Sequence, residues 1–203
     1  MRPCRIRKTG FYGKVRTHGD FVGQGLAPEF VAQWDRWLQA GMLKTRERFG
    51  DAWLDSYLAM PLWHFSVRPG VAGRYGYAGV MMPGIDAVGR YFPFAIARAM
   101  TGADEPPRDD DAPGAAWHEA AARLALSSLK TGFSLTAFEA ALAGLPTHEA
   151  HAATASLPSA GDADSLWWHR VTAGERGPLV RHRHDGPLDT ALFLRLLDGH
   201  ADD

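Results

Sequence analysis

Cysteine is almost missing from this chain: Cys4 is the single thiol in 203 residues, which excludes an internal disulfide and a multi-cysteine zinc site. Long apolar runs are missing as well. No stretch approaches the ~20 apolar residues with which a helix crosses a bilayer, and no apolar h-region follows the basic N-terminus, so a secretory signal is not expected. These absences predict a cytoplasmic chain without membrane insertion. Charge of one sign is the third thing lacking. The formal net charge is -1 and the pI about 6.8, so no global field marks nucleic acid or an anionic membrane as the partner. Locally the charge is uneven. Arg2, Arg5, Arg7, Lys8, Lys14 and Arg16 stand against Asp20 alone near the N-terminus, while Asp104, Glu105 and Asp109 to Asp111 form an acidic run. Both read as solvated segments.

What is present is aromatic mass. Seven Trp and ten Phe, each able to bury about 150–250 Å², predict a large core. A single domain over residues 1–203 is expected, with 101–114 as an exposed Pro- and Asp-rich connection within it.

Phe11-Tyr12 and Phe21-Val22 are short apolar pairs in a Gly-rich, basic stretch, as in short strands joined by tight turns. Phe30, Trp34, Trp37, Leu38 and Met42 then repeat at helical spacing, from Pro28, which suits a first helical turn, to about Phe49 before Gly50. Asp51 is placed to cap a second short helix carrying Trp53, Leu54, Tyr57 and Leu58, closed by Pro61. Leu62 to Val67, Tyr77 to Met82 and Tyr91 to Met100 are strand-length runs separated by Pro-Gly turns, and short connections make them an antiparallel meander. Pro113 can open a helix using Trp117, Ala121, Leu124 and Ala125, and another helix spans about Leu135 to Ala143. Ser165 to Val171 reads as a late strand with Leu179 to His182 beside it. A final helix carries Leu188, Leu192 and Leu196. Helices bracketing strands predict an α/β protein with a central sheet covered on both faces.

Familiar catalytic patterns fail on spacing. Gly10-Phe11-Tyr12-Gly13-Lys14-Val15 is not a phosphate-binding loop, which needs four residues between its glycines and a hydroxyl residue after the lysine. Gly23-Gln24-Gly25 lacks the third glycine of a dinucleotide fingerprint, since Pro28 stands there. In His148-Glu149-Ala150-His151 the histidines are three apart, not the four of a zinc protease helix. His182 and His184 would share one face of a strand and could approach a metal, but solvated polar positions near a turn are the commoner outcome. No Gly-x-Ser-x-Gly elbow is present, and Cys4 is expected on a loose N-terminal end. No cofactor and no metal are expected.

Three ordered segments are more specific. They are Gly10-Phe11-Tyr12-Gly13-Lys14 with His18-Gly19-Asp20-Phe21; Trp34-Asp35-Arg36-Trp37-Leu38; and Gly79-Val80-Met81-Met82-Pro83 running into Asp86-Ala87-Val88-Gly89-Arg90-Tyr91-Phe92-Pro93. Ala52 to Leu58, Pro61-Leu62-Trp63 and, later, Ser165-Leu166-Trp167-Trp168 fit the same pattern. The set resembles the TagF family, also called ImpM, of bacterial type VI secretion systems, and covers residues 9–100 most densely. One departure is Arg16, where the family pattern Gly-Lys-x-Pro has proline. The resemblance implies a three-layer α-β-α sandwich with a central mixed, largely antiparallel sheet. It also implies a non-enzymatic, post-translational negative regulator of secretion-system assembly, whose partner is a forkhead-associated scaffold protein.

Lys14, His18 and Asp20 are expected on a surface loop, either as a recognition surface or with Asp20 serving local backbone N–H groups. Trp34 and Trp37 are core residues by type, leaving Asp35 and Arg36 exposed or ion-paired. Asp86 can accept backbone bonds in an Asx-turn, and Gly89 permits positive φ. The favoured reading of Arg90 is a structural clamp on Asp86; its rival presents the guanidinium to a partner carboxylate or phosphate. Lys14, His18, Asp20, Asp35, Arg36, Asp86 and Arg90 are thus the candidate partner-binding residues. The competing expectation is a small hydrolase acting on a phosphorylated substrate near Lys14, His18, Asp20 and Arg90.

Overall fold

The computed structural model describes residues 9–100, 115–146, 163–171 and 179–199. Cys4, the acidic run, Pro113 and the His148/His151 pair lie outside them. Seven strands in this part form one sheet: β1 (Thr9–Gly13), β2 (Val22–Gln24), β3 (Trp63–Val67), β4 (Gly76–Met82), β5 (Phe94–Met100), β6 (Ser165–Arg170) and β7 (Leu179–His184). Their spatial order is β2-β1-β5-β4-β3-β6-β7. The expected β3-β4-β5 meander forms the centre, with β1 added beside β5 and β6 beside β3. Where a mixed sheet was expected, every pairing among the described strands is antiparallel.

The helices are α1 (Pro28–Phe49), α2 (Trp53–Ala59), α3 (Ala115–Ser127), α4 (Leu135–Ala143) and α5 (Thr190–Asp198). Helix α1 matches its predicted span, and its buried stripe is the predicted one, extended by Gly41 and Thr45. Asp51 does not cap α2. Gly50–Ala52 makes a 3-10 turn that leads straight into it, leaving the N-cap at Ala52 with no side-chain bond. Strand β5 starts three residues later than the apolar run beginning at Tyr91. Pro93 has no N–H for the ladder, so Tyr91 makes only an isolated bridge with Ile85.

Alternation along the central strands divides the core. Met81, Ala95, Ala97, Phe65 and Trp167 join the apolar residues of α1, α2 and α5 in one cluster. Val80, Met82, Phe94, Ile96 and Phe11 join Trp117, Ala121 and Ala125 of α3 and Phe138 and Leu142 of α4 in another. Since successive strand residues point to opposite faces, helices lie against both faces of the sheet.

Buried tryptophans carry polar edges that must be satisfied. Trp37 Nε1 donates to the Asp189 carbonyl at 2.7 Å, and Trp63 Nε1 to the Leu196 carbonyl at 2.8 Å, tying both ends of α5 to the core. Asp189 caps that helix by accepting from Leu192 N at 2.8 Å. Gly41 lets α5 approach α1: a Cβ there would lie within 2.7 Å of Phe193 Cβ.

Candidate functional site

The chain between β1 and β2 and the chain between β4 and β5 are held side by side by a buried polar knot. Its centre is Asp86, whose carboxylate is fully enclosed. Oδ2 accepts from Lys14 Nζ at 2.8 Å and from Arg90 Nε at 2.7 Å. Oδ1 accepts from the backbone N–H groups of Val88 at 3.0 Å and Arg90 at 2.8 Å, which is the Asx-turn expected from sequence. Gly89, at φ 87, supplies the left-handed residue that this turn needs. Burial by itself would raise the Asp86 pKa, but the bonds from Lys14, Arg90 and Val88 outweigh it and hold the carboxyl far below the usual range.

Lys14 corrects the sequence reading. It is buried, not displayed on a loop, because it follows β1 directly and turns inward to the Asp86 carboxylate; its ammonium also sits 5.1 Å from the centre of the Phe21 ring. Arg90 is the clamp residue that was favoured, and its guanidinium additionally donates to the Gly19 carbonyl. Its side chain remains 58% exposed, whereas Lys14 is enclosed, so Lys14 is the main counter-charge of Asp86. Removing Arg90 alone should therefore cost less than a buried clamp would.

Backbone bonds complete the joint. Ala87 N donates to the His18 carbonyl at 2.9 Å, and His18 N to the Val15 carbonyl at 3.2 Å. Asp20 bonds the adjacent Phe21 N–H at 2.8 Å, the local role open to it from sequence. Gly84 is required by close approach, since a Cβ there would lie 2.7 Å from the Lys14 carbonyl oxygen. Beneath it, the buried Tyr57 hydroxyl donates to the Gly84 carbonyl at 3.0 Å and accepts from Gly84 N at 2.9 Å.

Asp35 belongs to the edge of the same region. It accepts from the Tyr12 hydroxyl at 2.8 Å and from Gln39 at 2.6 Å. Burial, followed by the Asp35 bond, raises the Tyr12 pKa and keeps the phenol protonated as a donor. Tyr12 stacks on Phe21 with ring centres 5.5 Å apart, and Phe21 meets Phe92 edge-on at 4.8 Å. Arg36 is exposed on α1 and takes no part in these bonds among the described residues. The structure thus joins Lys14, Asp86, Arg90 and the His18-Gly19-Asp20 loop, and adds Asp35 through Tyr12. Tyr12, Phe21 and Tyr57 were assigned to their elements from sequence but not to the candidate binding residues. Their roles depend on partners far along the chain, and only the glycines flanking the aromatic pairs hinted at them.

Two apolar side chains stand out on the joined loops: Phe21 is 40% and Val88 69% exposed. A separate, mostly apolar groove of about 280 Å³ lies nearby, lined by Arg16, Leu58, Met60, Leu62, Met82, Pro83, Gly84, Ile85, Leu126 and Leu129. None of the sequence-chosen polar residues lines it.

A family model described as the TagF N-terminal domain, type VI secretion system-associated, matches residues 10–145. The chain belongs to the TagF family. The crystal structure of PA0076 from Pseudomonas aeruginosa PAO1 is similar to this TagF-family chain at 35% identity and a TM-score of 0.74, over 96% of each chain. No curated protein matches it. The TagF match spans the whole knot, and with it the chain is linked to type VI secretion.

Elsewhere, His182 is not a solvated turn residue. It is buried on β7 with its ring 5.1 Å from that of Trp63. His184 engages the Pro187 carbonyl at 2.9 Å. Among the described residues no group of three or more His, Cys, Asp or Glu side chains could hold a metal ion, and no helix is long and apolar enough to cross a membrane.

Proposed function

We propose that this chain is a post-translational negative regulator of type VI secretion system assembly that acts by binding a protein partner in the cytoplasm. Membership of a type VI secretion-associated family supplies the process. The observation that carries binding is the knot itself. Lys14 is enclosed against Asp86 and Arg90 is bonded to the same carboxylate, so the cations that a phosphate-directed hydrolase would use are engaged in holding the loops. The same bonds hold two loops rigidly beneath exposed Phe21 and Val88. Loops fixed in advance lose little conformational entropy on docking, and exposed aromatic and aliphatic side chains over such a base make effective anchors. His18, Asp20 and Arg90 form the polar surround, and a forkhead-associated scaffold protein is the proposed partner.

The test uses a Phe21→Ala/Val88→Asp double variant in the native host. Deleting the gene should raise secretion, wild-type chain should restore repression, and the variant should not, although circular dichroism shows it folded. The tagged wild-type chain should recover the forkhead-associated scaffold, and the variant should not. A deletion that leaves secretion unchanged would overturn the regulatory role; full repression by the folded variant would remove this surface from it.

A further inference from the structure

The apolar groove beside the knot has a chemistry distinct from the loop surface. Its floor includes the buried side chains of Met60 and Met82, and its rim includes Leu58 of α2, Leu126 of α3 and Leu129 in the turn after it. All three rim leucines are exposed, an arrangement that leaves contiguous apolar surface in water. Among the described residues Arg16 is the single charged side chain in the lining, and none of the acidic ones lines the groove with it. It is exposed, so it places a cation at an apolar cavity without a neutralising carboxylate in that lining. A cation beside low-dielectric walls favours a negatively charged group docking there.

We propose that this groove docks a peptide segment of a partner protein that presents a large apolar side chain next to a carboxylate. The volume of about 280 Å³ is at the small end of ligand sites, which run from roughly 300 Å³ upward; it suits one or two side chains. The unbranched methionines on the floor adapt to the shape of the entering side chain. The planar guanidinium of Arg16 offers paired donors to the adjacent carboxylate. The floor is also fixed, because the Gly84 backbone in the lining is bonded on both its N–H and its carbonyl by Tyr57.

The experiment is methionine-methyl NMR of the full chain titrated with acetylated, amidated Phe-Asp-Leu and Phe-Asn-Leu. The Met60 and Met82 methyls should shift with the Asp peptide, and the Asn peptide should bind about fivefold more weakly, as loss of one exposed charge pair implies. Arg16→Gln should erase the difference between the peptides, and Leu129→Asp should abolish both responses. Arg90→Ala, outside the groove, should leave them unchanged, which separates this site from the loop surface proposed above. Absence of methyl shifts, or equal affinity for the two peptides, would overturn the proposal. So would self-association that Leu129→Asp removes in the absence of peptide binding, since the groove would then belong to a second copy of the chain.

Discussion

Replacing Tyr57 by Phe isolates one hydroxyl at the base of the polar knot. The ring remains, and with it the stacking on Trp53 at 5.1 Å and the edge contact with Tyr91 at 5.7 Å, so packing is nearly conserved. Two hydrogen bonds to Gly84 disappear, but their consequences differ. The Gly84 carbonyl keeps a second donor, Phe92 N at 3.0 Å. The Gly84 N–H loses the Tyr57 oxygen and is left buried. One net hydrogen bond, about 0.5–1.5 kcal/mol, plus the desolvation cost of an orphaned donor, about 1–3 kcal/mol, gives a loss on the order of 2–4 kcal/mol. For a chain of this size that lowers Tm by roughly 10 °C. Burial raises the Tyr57 pKa above its ordinary value, so the hydroxyl stays protonated and the effect should be the same at pH 6 and pH 8. Thermal melts by circular dichroism measure the loss, and amide exchange at Gly84 locates it. A fall of less than about 2 °C, with Gly84 still protected, would refute the assignment of this hydroxyl as the anchor of the loop.

Gly41→Ala sets helix propensity against packing: Ala is favoured by about 0.8–1.0 kcal/mol in a helix, yet the new Cβ would meet the Phe193 ring, and overpacking costs about 1–3 kcal/mol. A net loss in urea unfolding is expected, and a more stable variant would show that α5 shifts freely. Burial, with Arg170 and His169 nearby, pushes the His64 pKa down to about 4, and burial beside His64 and Arg98 lowers that of His118. Stability should therefore be fully present above about pH 6.5 and decline toward pH 4 as the unfolded chain takes up protons; a His64→Phe variant with the same dependence would refute this. The depressed Asp86 pKa acts in a lower window, where its contribution is present above about pH 4 and lost below it. Asp86→Asn should lower stability at pH 7 and flatten the acid limb below pH 4, as read by denaturant midpoints at each pH.

Local geometry made part of the site legible in advance. Asp86, Val88, Gly89 and Arg90 lie within one turn, so the Asx bonds and the arginine clamp follow from short-range chemistry. The burial of Lys14 does not, because its partner is 72 residues away. A lysine after a Gly-rich strand looks like a surface residue until the sheet places the Asp86 turn beside it. The same holds for Asp35, whose bond to Tyr12 spans 23 residues. The Asp51 cap failed for a different reason: with the 3-10 turn continuing into α2, no open helix end was left for its side chain to bond.

The sequence by itself determined the elements and the family. Apolar spacing fixed α1, the central meander and the late β6–β7 pair, because periodicity reports which face of a segment leaves water, and the ordered aromatic-glycine segments carried the TagF resemblance. Only the tertiary structure decided which strands became neighbours across long connections, which charges were enclosed and which apolar side chains stayed outside. Those outcomes depend on contacts between distant segments, where burial and pairing are settled together: Asp86 could be enclosed because Lys14 arrived with it.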